Sequence, residues 1–427
     1  MIPSCDNFAK PTGMSGWWRN FLLIVSLPLL AVRGAADDPA VQSGPPGKCR
    51  AISKGGDNSF PFDIFRGDIR FQCEVNGHKV HMLLDDGYMW DDLLFWGGPG
   101  VDSLGLSYDG STEVGSDSGN AAKLVASTAS GITVRFPNVE FADQRAVITP
   151  SSSGAANLWS GSEGQVSAML FKHFVVDINF DSMRITLIEP GSFEYRGEGA
   201  VVPWTPMGFG PWSIPATLDL ADGRRMSFDL LMDLGYNDQL QLAAAGEHNV
   251  TRPDKVLPIS LGLNIQGVST NGYMGRLPQI DIGGYKIKNL LIGFVSAEDS
   301  KQVPAEAMIG LGLLSRFNLI YDYSRQRLII KPNGKFSQPF EHNMSGLSMR
   351  KGADGYFEIV RIYDNSPANE AGLQAGDKVI TIDGRSTAGL DFFELTPLLK
   401  REGATIKLTA LRESRTWEVS LILRRLI

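Results

Sequence analysis

The chain repeats itself, and the repeat limits what it can fold into. Two apolar runs enter the same kind of turn, Leu83-Leu84-Asp85-Asp86-Gly87-Tyr88 and Leu231-Met232-Asp233-Leu234-Gly235-Tyr236, with the aspartates 148 positions apart (85 to 233). A second stretch, Glu163 to Phe174, aligns without gaps to Glu306 to Phe317, and both continue through alternating strand residues to Arg184 and Arg327. Two separate matches at nearly one spacing indicate a duplicated unit, and an internal repeat outranks local propensity as evidence. A hydrophobic strand ending in Asp and a turn glycine puts a carboxylate at a loop tip. Doing so twice predicts two related lobes that present Asp85 and Asp233 to each other.

Between these landmarks, short β-type runs alternate with Gly, Asn, Asp and Ser, and the 47 glycines and 23 prolines fit many turns. Such a pattern predicts all-β lobes rather than βαβ units. A chain of 427 residues has room for two or three domains. The expected segments are a signal peptide over 1–36, a flexible leader over 37–59, one lobe over 60–192, a second over 200–333 and a further domain over 340–427.

At the N-terminus, Arg19 precedes an apolar run from Phe21 to Val32, and Gly34-Ala35-Ala36 follows. The run is short for a bilayer span and suits the core of a secretory signal, so the expectation is an exported protein, periplasmic or secreted. An uncleaved membrane anchor is the alternative. Cys49 and Cys73 remain after removal of such a segment, either as one disulfide or as two thiols. The net charge of −7 offers no basic surface for nucleic acid.

Two aspartates at facing loop tips can share one proton, because like charges a few ångströms apart do not both ionise cheaply. The ionised partner can activate water while the protonated one polarises a carbonyl. The glycine after each motif permits a tight turn and close approach of the loops. On these residues, 60–332 resembles the aspartic peptidases, in particular the bacterial retropepsin-like and pepsin-like group. The resemblance implies two β-barrel lobes in one chain, catalytic Asp85 and Asp233, and a peptide or protein substrate in the interlobe cleft. It implies no metal, no cofactor and no obligate homodimer. Supporting positions would be Asp86, Gly87, Leu234, Gly235, and the apolar-apolar-Gly element at Met308-Ile309-Gly310, with Ser167 at its lobe-one counterpart.

Three residues depart from that pattern. The family's Thr or Ser after the catalytic Asp, whose hydroxyl bonds across to the opposing loop, is Asp86 in one lobe and Leu234 in the other. Leu234 has no side-chain donor or acceptor, while Asp86 can accept backbone N–H groups. Ser167 stands where glycine is expected. The alternative to an aspartic endopeptidase is therefore a catalytically impaired pseudopeptidase, an exported peptide-binding or scaffold protein. Near residues 105–135 a flap is expected, with Tyr108 as its candidate aromatic.

The stretch from Ile362 through Ser366-Pro367-Ala368, Gly372, Gly376 and Val379–Ile382 to Gly384 is similar to a PDZ domain. Ser366 reads as a helix N-cap with proline at the first helical position. The resemblance implies a small α+β domain that takes up a peptide or C-terminal segment as an added strand. Its carboxylate loop would be Gly346-Leu347-Ser348-Met349. Residues 345–427 read as two strands, a short helix near Pro367–Ala371, a strand, a longer helix near Phe392–Lys400 and two strands.

Overall fold

Alternating burial builds most of this chain. Strand Asp68–Val75 buries Ile69, Phe71, Cys73 and Val75 on one face, as period-two geometry requires. The computed structural model describes residues 48–51, 57–87, 91–114, 124–153, 159–206, 212–261, 270–299 and 305–427. The expected signal peptide, most of the leader, Tyr88 and the tip of the expected flap lie outside the described residues. By contacts the chain divides into two units, Met1–Pro253 with Pro258–Gln338, and Asp254–Leu257 with Pro339–Ile427. No helix among the described residues is long and apolar enough to cross a membrane.

The first unit is mainly β and is built twice to one plan. Pairing runs from Asp68–Val75 through His78–Leu84, Gly164–Val166, Leu93–Trp96, Val139–Thr149 and Leu124–Phe136, then returns to Asp68–Val75. An equivalent ring runs from Trp212–Asp219 through Arg225–Asp233, Ala307–Gly310, Leu240–Ala243, Tyr285–Val295 and Thr270–Ile282, back to Trp212–Asp219. Corresponding pairings have the same sense in both rings. Register repeats as well: Leu84 lies opposite Val166, as Met232 lies opposite Ile309.

The halves join through strands Val175–Asn179 and Phe317–Asp322, which pair antiparallel as Val176↔Tyr321, Asp177↔Ile320 and Ile178↔Leu319. In the ungapped repeat Val176 corresponds to Leu319 and Ile178 to Tyr321. Val176 therefore meets the counterpart of Ile178, and Ile178 the counterpart of Val176, the reciprocal pattern of a local two-fold axis. No disulfide joins Cys49 to Cys73, and the Cys73 thiol is buried.

The second unit is a sheet in the order Leu347–Lys351, Phe357–Ile362, Lys378–Ile382, Thr405–Arg412, Arg415–Ile422, with Arg385–Ser386 paired to Lys378–Ile382. Helix Pro367–Glu370 is capped by Ser366, whose side chain accepts from Asn369 N–H at 3.3 Å. The second expected helix is α-helical over Phe392–Leu395 and tightens to 3₁₀ over Thr396–Lys400. Pro397 lies at the junction and has no N–H to give an i→i−4 bond, which accounts for the change.

Candidate functional site

Each repeated strand delivers its aspartate in the same way. Asp85 N–H donates to Val166 O at 3.1 Å, extending the parallel pairing into the loop. Gly87 N–H then turns back to Asp85 Oδ1 at 2.9 Å, and Gly235 N–H to Asp233 Oδ1 at 2.8 Å. These are the same Asx turns in both halves. The loops touch: a Cβ on Gly87 would lie 2.6 Å from Asp233 Oδ1, so only glycine fits there.

Across the loops, Leu234 N–H donates to Asp86 Oδ1 at 2.6 Å. Leu234 thus contributes through its backbone what its fully buried side chain cannot. Gly310 packs beneath the second loop, where a Cβ would collide with Tyr236 O, and Leu311 N–H donates to that oxygen at 2.6 Å. Its counterpart Ser167 is buried at the start of helix Ala168–His173. Asp85, Asp86, Gly87, Asp233, Leu234 and Gly235 are thereby brought together, with Gly310 and Ser167 at the matching positions under each loop. Tyr108 lies on strand Ser107–Val114 and is exposed.

Carboxylate oxygens of Asp85, Asp86 and Asp233 lie within 4.8 Å of one another, and all three side chains are buried. Burial pushes Asp86 up to about 6, against the opposing pull of Leu234 N–H and the Tyr321 phenol. Asp233 stands well above the ordinary carboxyl range, through burial first and then the charges of Asp85 and Asp86. Its Oδ2 is buried without a hydrogen-bond partner among the described residues. A set of this kind holds protons towards neutral pH. Three hard oxygen ligands are also a donor set that a divalent cation takes. The resemblance drawn from the sequence implied no metal and did not anticipate this donor set.

Asp68 was also missed. It is buried, and burial followed by the Asp85 charge raises it well above its ordinary value. Alternation puts it on the face opposite Ile69, Phe71, Cys73 and Val75, so the sequence carried no signal for its burial. Tyr321, buried at the two-fold pairing and acting on Asp86, carried no signal beyond strand propensity.

In the second unit, Leu347–Lys351 is an edge strand paired on one side only. Gly346 before it has φ +82, and a Cβ would collide with the Ser366 side chain. Leu347 N–H donates to the buried Ser345 Oγ at 3.1 Å, and Met344 N–H to Leu399 O at 2.8 Å. Leu347 packs in one core with Leu395 and Leu399, and Met349 rests against it. Phe392 and Phe393 on the neighbouring helix are 48% and 43% exposed. An unpaired strand edge can accept an extended peptide.

Residues 345–423 match the PDZ domain family. These residues therefore form a PDZ domain, and such a domain implies binding of a peptide's C-terminal segment. The carboxy-terminal processing protease CtpB of Bacillus subtilis (strain 168) is 28% identical over 116 residues, 27% of this chain and 24% of that protein. The chain thus spans about a quarter of the length of this curated relative. A solved photosystem II D1 C-terminal processing protease is similar over 21% of this chain and 25% of its own, at 20% identity and TM-score 0.19. An aspartic proteinase from Irpex lacteus covers 66% of this chain and 98% of its own, at 14% identity and TM-score 0.39. At those TM-scores neither likeness carries an argument about fold.

These comparisons correct one expectation. The curated match is to a carboxy-terminal processing protease, which points to a catalytic type other than an Asp85/Asp233 dyad. The reading as an aspartic endopeptidase, and with it the impaired form of that enzyme, is withdrawn. The error arose because paired Asp-x-Gly turns fix how two loops meet, and loop geometry alone does not assign a reaction.

Proposed function

We propose that this chain captures the carboxyl-terminal segments of peptides or proteins through its PDZ domain, in the service of their proteolytic processing. The half-paired strand Leu347–Lys351 carries the reading. A client would add to its open edge as a further strand, with main-chain hydrogen bonds giving affinity and side-chain contacts giving selection. Its terminal carboxylate would be received at Gly346-Leu347-Ser348-Met349. There it displaces the Ser345 hydroxyl from Leu347 N–H, exchanging a neutral acceptor for a charged one, which is the stronger bond. Phe392 and Phe393 suit an apolar side chain near the client's end. The name of the curated relative supports processing as the setting.

The test uses the full chain and two labelled peptides of one apolar-ended sequence, with a free carboxylate or a terminal amide. Anisotropy titration is expected to show the carboxylate form binding about tenfold more tightly, which corresponds to roughly 1.4 kcal/mol. Equal affinity, or no binding of either, overturns the proposal.

A further inference from the structure

We propose that Asp85, Asp86 and Asp233 form a site for a hard divalent cation, calcium by its size, which ties together the two repeated halves of the first unit. Asp85 and Asp86 follow strand His78–Leu84, and Asp233 ends strand Arg225–Asp233 of the other half. One oxygen from each carboxyl lies within 4.8 Å of the other two. An ion held at about 2.4 Å from each ligand, an ordinary calcium distance, reaches pairs of oxygens up to about 4.8 Å apart. The donor set is all carboxylate, which selects such a cation over zinc or copper.

The backbone sets these carboxyls as ligands. Asp85 Oδ1 accepts Gly87 N–H, Asp86 Oδ1 accepts Leu234 N–H and Asp233 Oδ1 accepts Gly235 N–H. Each bond orients its group and favours the ionised form, the one that coordinates. Asp233 lies against the opposing loop, its Cγ only 2.6 Å from where a Cβ on Gly87 would stand. Its Oδ2 is buried and has no hydrogen-bond partner among the described residues. A fourth acid, outside the three, points to the same place. The pairing Ile69↔Leu84 puts Asp68 across from Asp85 at the next step, and the Asp85 charge acts on it. Both Asp68 oxygens are buried without a hydrogen-bond partner among the described residues, the Trp159 indole acting on them from outside that geometry. Asp68, Asp85, Asp86 and Asp233 are 1%, 2%, 5% and 1% exposed. Like charges set opposite one another across strands destabilise a sheet, and charges buried this deeply are paired or coordinate a metal. A cation among the three ligands answers both costs, with Asp68 behind Asp85 adding to the negative field.

Calorimetric titration of the full chain with calcium, after treatment with EDTA, tests the site. One ion per chain should bind with a dissociation constant below about 1 mM. Asp86→Asn and Asp233→Asn keep the size of each group and remove its charge, and each should weaken binding by about tenfold or more. Asp63→Asn, at an exposed acid paired with Arg70, should bind calcium like the wild type. If neither cluster variant folds, amide hydrogen exchange on the wild type decides. Calcium should then raise protection of 83–87 and 231–236 about tenfold and leave the PDZ strands unchanged. No saturable binding, equal binding by the wild type and both cluster variants, or protection that leaves these two loops unaltered overturns the site. Tighter binding of magnesium than of calcium overturns the assignment by size.

Discussion

At the scale of single residues, the glycines define how closely the loops of the first unit are packed. Gly310 lies against Tyr236 O and Asp238 O with no room for a methyl group. Gly191 has nothing within 4 Å of its Cβ position. Gly310→Ala should therefore lower stability in urea unfolding by about 1–3 kcal/mol or more. Gly191→Ala should stay within about 0.5 kcal/mol of wild type. Equal, small effects would refute the close packing under the second loop. The sequence made Gly310 legible because glycine recurs where backbones approach closely. It left Asp86 half legible. The chemistry of a carboxylate predicted acceptance of backbone N–H groups, while the donor, a main-chain N–H of Leu234, is a property of the backbone path. Side-chain identity cannot encode that.

Among elements, strands were easier to read than helices, for a physical reason. Period-two burial marks strands such as Asp68–Val75, which alternation finds, whereas the short strands Leu93–Trp96, Leu240–Ala243 and Ala307–Gly310 are buried at every position and carry no alternation. The partners of each strand lie far along the chain and follow from the repeat rather than from local pattern. The helix beside the PDZ edge strand shows the opposite case: its apolar spacing was visible, but the passage into a 3₁₀ turn at Pro397 was not. That short helix depends on its start. Asp391 accepts Glu394 N–H at 2.8 Å and Glu394 accepts Asp391 N–H at 2.9 Å, a reciprocal cap that fixes two otherwise orphaned donors. Asp391→Ala should destabilise the PDZ unit by about 0.5–2 kcal/mol in thermal unfolding. Because Phe392 and Phe393 follow directly, the same variant should weaken capture of the carboxylate-ended peptide. Full stability and full binding together would show that the cap holds nothing in place.

Across the whole molecule, the buried acids of the first unit and the arginine-paired acids of the PDZ unit are shifted in opposite directions. The first unit buries acids whose folded values are raised: Asp86 to about 6, with Asp233 and Asp68 well above 3.8. Above about pH 4 the unfolded chain gives up protons that this folded unit keeps, so its stability falls as pH rises through the folded values. For Asp86 alone the full difference is on the order of 3 kcal/mol. In the PDZ unit, burial pushes Asp377 up, but Arg412, bonded to it at 2.6 Å, and Gln374 N–H outweigh that and hold it below 3.8. Glu370 is likewise held low by Arg424. Stability from such pairs is complete above the unfolded carboxyl range and is lost only as pH falls below it. Scanning calorimetry from about pH 7.5 to about pH 5 should therefore raise the transition of the first unit and leave that of the PDZ unit nearly fixed. Further acidification to about pH 3 should lower the PDZ transition. Two transitions that move together throughout would mean that the buried acids do not govern the first unit. Its stability would then depend on groups that both units share.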